Sequence, residues 1–140
     1  MQHVATIVGR ALLAPMFVVG GVGAVRDPGR RVGTVDAAGL PEPELLVRLN
    51  GVAMTIGGVA LALGIKPRLA SALLIGCLVP TTVVGHAFWK VEDPAARGLQ
   101  RTNFVKNVAM VGGLVLVQAT GSPRSSTRRA SPSGHTESVS

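Results

Sequence analysis

The chain has 140 residues, 47% of them apolar and only 15% charged, with 18 glycines, three phenylalanines, one tryptophan and no tyrosine. That balance excludes an ordinary water-soluble domain and fits helices packed closely in lipid, where glycine is frequent. The net charge of +7 comes without an aromatic-laced basic surface or a recognition motif, so nucleic acid is not an expected partner.

The first apolar run, about 4–25, holds Arg10 and Pro15. A secretory signal peptide cleaved after Val22-Gly23-Ala24 is the rival reading. Its basic region would have to be Arg10, too far in, and three more long apolar runs follow. A retained span bent at Pro15 is expected, since proline lacks a backbone donor and neighbouring helices compensate. From Arg26 to Pro43 the chain is predicted to be a loop, punctuated by Pro28, Gly29, Gly33, Gly39 and Pro41 and long enough to fold over a bundle mouth. Pro43-Glu44 starts a second span, about 44–65. The turn Ile65-Lys66-Pro67-Arg68 is too short for anything but antiparallel neighbours. A third span, about 69–89, contains Pro80, the lone Cys77, Thr82 and His86, and ends at Trp89, the one clear interfacial anchor. Cys77 reads as a small apolar filler, with no disulfide or Cys-x-x-Cys pair available. Lys90 to Leu99 reads as a charged loop before a fourth span, about 101–120. Residues 121–140, rich in Ser, Arg, Pro and Thr, cannot bury a core and are predicted to be disordered.

These elements predict an all-α fold: an integral membrane four-helix bundle running up-down-up-down, with a disordered C-terminal tail. Both termini then share a face with Lys66, Arg68, Arg124, Arg128 and Arg129, against Arg26, Arg30, Arg31, Lys90, Arg97 and Arg101 on the other. That near balance does not decide orientation by the positive-inside rule. The termini are placed in the cytoplasm because the basic tail has no hydrophobic device for translocation.

Arg48, His86, Asn103, Lys106 and Asn107 fall in the same half of the membrane, each about 5–8 Å inside a helix end at 1.5 Å rise per residue. Agreement in depth across three helices predicts a ligand-holding polar layer beneath the first and third loops, because intramembrane ionisable groups are costly. The competing reading has Arg48 and Lys106 snorkelling, Asn103 and Asn107 acting as interhelical glue at about 0.6 kcal/mol each, and His86 sitting beside Trp89 at the interface. Arg10 is a second intramembrane charge in the opposite half, either snorkelling or buried with a partner. No Asp or Glu lies deep in a span, which removes paired-carboxylate chemistry and a carboxylate proton relay. Haem would need a second axial ligand level with His86, but His3 lies at the far end and His135 in the tail. No catalytic residue, metal site or intrinsic cofactor is therefore predicted. Gly20, Gly57, Gly58, Gly64, Gly112 and Gly113 are expected to pack helices.

Several fragments follow one another in a familiar order: Gly9-Arg10 with Phe17 and Gly20, Gly39-Leu40-Pro41, Gly57-Gly58 through Leu63-Gly64, and Pro67-Arg68-Leu69-Ala70. His86-Ala87-Phe88-Trp89, Gln100-x-x-Asn103-Phe104-x-Lys106-Asn107 and Gly112-Gly113 continue it. Together they resemble the DoxX family over about residues 8–118. The resemblance implies a small four-helix protein of the bacterial inner membrane. The family takes its name from a subunit associated with quinone-linked thiosulfate oxidation, and other members accompany membrane redox or oxidative-stress complexes. By that resemblance the chain is expected to be an accessory or small subunit of a membrane oxidoreductase assembly, without catalysis of its own. Quinone or lipid is the expected occupant of the polar layer, and membrane lipids and other proteins of a larger complex are the expected partners. The alternative is a non-catalytic lipid-binding or structural packing partner of a larger membrane complex. Many relatives carry a glutamate where this chain has Met54, a departure that counts against proton handling.

Overall fold

The computed structural model describes residues 1–120, and they are overwhelmingly helical. Helices α1 (Gln2–Arg26), α2 (Gly29–Ala37), α3 (Pro43–Leu63), α4 (Pro67–Gly85) and α5 (Pro94–Thr120) follow in order, with a 3-10 turn, η1, at Phe88–Lys90. The expected disordered tail, 121–140, lies outside the described residues. α1 packs along α3, α3 on α4 and α4 on α5, and α5 returns to touch α1.

Four spans are expected from the sequence. Among the described residues, three stretches are long and apolar enough to cross a membrane: His3–Arg26, Pro43–Leu63 and Pro67–Lys90. At 27 residues α5 is the longest helix, but Arg97, Gln100, Arg101, Asn103, Lys106 and Asn107 make its first half polar and leave it outside that set.

The core consists of Phe17 from α1, Leu61 from α3, Ala70, Leu74 and Leu78 from α4, and Leu114 and Val117 from α5. It fills the space from mid-helix to the α3–α4 turn, which leaves the other half of the interior for polar side chains. In lipid such contacts stabilise through van der Waals packing, because lipid tails are as apolar as leucine.

The closest helix approach is between α1 and α3. A Cβ on Gly21 would lie 2.5 Å from the Gly51 carbonyl oxygen, and one on Gly51 would lie 2.7 Å from that of Gly21. Only glycine at both positions lets these backbones touch. Gly57 faces Leu74, Gly58 faces Val18 and Phe17, Gly113 meets Leu13, and Gly20 makes ordinary contact with Met54. Gly112 does not belong with them: it is exposed, and a Cβ there would meet nothing within 4 Å.

Three boundaries differ from the sequence reading. Where a turn-rich loop is expected between 26 and 43, α2 forms. The Pro28 carbonyl accepts the Arg31 and Val32 N–H groups at 2.9 and 3.3 Å, and Gly39, at φ 75°, closes the far end. Helix α5 starts at Pro94 instead of about 101, because Asp93 Oδ2 accepts the Ala96 N–H at 2.7 Å and proline needs no donor at a first helical position. Helix α4 stops at Gly85, with His86 as its C-cap.

Candidate functional site

The N-terminal halves of α3 and α5 meet the C-terminal halves of α1 and α4 around a cavity of about 770 Å³, with α2 across its mouth. Met16, Phe17, Leu46, Leu78, Val84 and Met110 give it apolar walls. Polar groups enter from three helices. Asn50 Nδ2 of α3 donates to Thr81 Oγ1 of α4 at 3.1 Å, and Thr81 Oγ1 donates on to the Cys77 carbonyl at 2.7 Å. Asn107 Nδ2 of α5 donates to Thr82 Oγ1 at 3.0 Å, and that hydroxyl donates to the Leu78 carbonyl at 2.6 Å. Both hydroxyls turn back on their own helix within one turn of Pro80, which lacks a backbone donor.

His86 and Gln100 are 2.7 Å apart, Nδ1 to Oε1. With Oε1 as the acceptor, Nδ1 carries the proton and Nε2 of the neutral ring is left as an acceptor. Lys106 Nζ donates to Asn103 Oδ1 at 3.3 Å, so one ammonium, on an exposed side chain, borders the cavity. Around the mouth itself lie Asp27, Arg30, Arg31 and Thr34. Among the described residues, Asp27 is the only carboxylate in the lining. Such a cavity suits a carbonyl-bearing or anionic head group on an apolar body, since both cations and amide donors face it and no acidic pair does. Beside the mouth, Phe88, Trp89 and Phe104 contact one another edge to face, with ring centroids 5.1 to 5.9 Å apart.

Of the five residues expected in the polar layer, the structure brings His86, Asn103, Lys106 and Asn107 together. Arg48 stands apart from them. Its Nε and Nη2 bond to Glu44 Oε1 at 2.9 and 2.8 Å, and its Nη1 donates to the Val25 carbonyl at 2.6 Å, so it clasps the end of α1 to the start of α3. Sequence reasoning missed Asn50, an amide inside an apolar run, and treated Gln100 only as part of a family pattern. The signal for Asn50 was its spacing of four from Met54, which lines the same cavity.

Arg10 lies at the opposite end of the molecule, as expected. The guanidinium lies across Gly64 in the α3–α4 turn, and its Nε is buried without a hydrogen-bond partner. Gly64 sits at φ 71°, and a Cβ there would lie 3.2 Å from both Nη atoms. Glycine thus allows both the turn and the overlying side chain. Among the described residues, no group of three His, Cys, Asp or Glu side chains could hold a metal ion.

A model of the DoxX family matches residues 5–87, from the first turn of α1 through α4 to Ala87. The chain is also 26% identical over 120 residues to the inner membrane protein YphA of Escherichia coli (strain K12), covering 86% of this chain and 85% of that one. No solved structure matches it.

Proposed function

The chain belongs to the DoxX family and is an inner-membrane protein, and from that premise we propose that it serves a membrane-associated oxidoreductase assembly as an accessory or small subunit. In this reading α5 is a fourth span, so the long helices form an up-down-up-down bundle, and the cavity beneath α2 holds a quinone or lipid. The observation that carries the reading is the convergence of Asn50, His86, Gln100, Asn103, Lys106 and Asn107 on one apolar-walled cavity of about 770 Å³. A quinone would supply reversible electron and proton uptake. The chain's own part would be to hold the head group by donors from Lys106 and the amides, to accept a hydrogen bond at His86, and to keep water out with α2. No catalytic residue and no metal are part of the proposal.

The test is thermal unfolding of the full chain in mild detergent with a short-chain quinone. The native protein is expected to be stabilised, and His86→Ala or Lys106→Ala to lose that stabilisation. Equal stabilisation of the variants removes those residues from the pocket. Identifying every protein that co-elutes from mild detergent tests the assembly.

A second reading, that of a non-catalytic packing partner, draws on the outward face of α1, where Leu12 and Val19 are 75% and 71% exposed. It expects a charged residue at Leu12 or Val19 to release a co-purifying protein while the cavity variants retain it.

A further inference from the structure

We propose that the cavity beside Arg10, at the end of the molecule away from α2, binds a phosphate group, with the Arg10 guanidinium as its anchor. The site does not depend on the reading of the larger cavity. It is a space of about 230 Å³ lined by His3, Thr6, Arg10, Pro67, Val117 and Thr120. At about 30 Å³ per water, that is room for a phosphate and part of its hydration.

Three observations point to an anion. First, Arg10 carries five N–H donors in a planar fork, yet no hydrogen bond or ion pair joins it to another described residue, and its Nε is buried. A buried donor left unpaired is costly, and a charged one more so. Second, the guanidinium lies over Gly64, with both Nη atoms 3.2 Å from where a Cβ there would stand. No carbonyl at the end of α3 accepts from it: Leu61 O takes the Gly64 N–H at 3.2 Å, and Ala60 O the Ile65 N–H at 2.9 Å. Third, this end has no carboxylate among the described residues. Asp27, Asp36, Glu42, Glu44, Glu92 and Asp93 all sit at the α2 end, while Lys66 and Arg68 add positive charge to the turn beside Arg10. A phosphate matches this fork bidentately, and a partly desolvated site strengthens the pairing.

The phosphate can come from a phospholipid headgroup or from the free ion, and one experiment separates them. The full chain in dodecyl maltoside is unfolded thermally with added phosphatidylglycerol, with a phosphate-free diacylglycerol, or with inorganic phosphate. The expected result is a rise in Tm of about 5 °C, the scale for a near-saturating ligand on a domain of this size, with a phosphate-bearing additive and not with diacylglycerol. A rise with phosphatidylglycerol alone identifies the headgroup; an equal rise with inorganic phosphate identifies the free ion. Arg101→Gln, an exposed arginine at the α2 end outside both cavities, should keep the shift and Arg10→Gln should lose it. Arg10→Lys, which keeps the charge but not the fork, should keep less than half. No shift in the native chain with either phosphate source overturns the proposal. So does a shift in Arg10→Lys equal to the native one, a comparison that stands even if Arg10→Gln does not fold.

Discussion

Which side chains reach the cavity depends on direction around a helix as well as on depth along it. Counting 1.5 Å per residue put Arg48, His86, Asn103, Lys106 and Asn107 at one level. On α3, however, the cavity face is formed by Leu46, Val47, Asn50 and Met54. Arg48 lies about 200° from Asn50 at about 100° per residue, so it reaches Glu44 and Val25 instead. Arg48→Ala should therefore lower stability while leaving quinone-dependent stabilisation intact, the reverse of His86→Ala; the same thermal unfolding assay reads both. Asn107 and Thr82 are each 5% exposed and bonded to one another. Asn107→Ala should cost about 1 kcal/mol in dodecyl sulfate unfolding, within the range for interhelical hydrogen bonds in membranes, since Thr82 keeps its bond to Leu78. Cys77, 7% exposed, agrees with its reading as an apolar filler. It should react slowly with a maleimide in the native protein and quickly once the helices separate.

Among the elements, glycine spacing showed that helices would pack closely without saying which glycines face a partner. Gly112 and Gly113 are adjacent, about 100° apart on the helix, and only Gly113 meets α1. Gly51→Val should destabilise by about 2 kcal/mol through overpacking against α1, while Gly112→Val should be close to neutral, both read by dodecyl sulfate unfolding. Helix α2 was hidden because Pro28, Gly29, Gly33 and Gly39 signal turns when read singly. The structure uses Pro28 to start the helix and Gly39 to end it. The early start of α5 was readable in principle from Asp93-Pro94, a capping residue followed by the residue best suited to a first helical position.

For the whole molecule, the family pattern and the apolar runs carried the identity of the object, while the status of α5 is obscured by its own composition. Of the six residues that keep α5 from standing out as a span, four, Gln100, Asn103, Lys106 and Asn107, also wall the cavity. If α5 crosses the bilayer, both termini lie on one side, and the basic tail favours the cytoplasm. A green fluorescent protein fused to either terminus should then fluoresce, and alkaline phosphatase fused at the C-terminus should be inactive. Opposite signals at the two ends would mean an odd number of crossings.

Trp89 is the only indole in the sequence, held between Phe88 and Phe104 and three positions from His86. The chain therefore carries its own optical probe at the cavity mouth, with no competing emitter of its kind. An electron-accepting quinone ring seated near His86 should quench that emission, whereas an acyl lipid in the same space has no such ring and should leave its intensity unchanged. One titration on the unlabelled protein would thus tell the two candidate occupants apart.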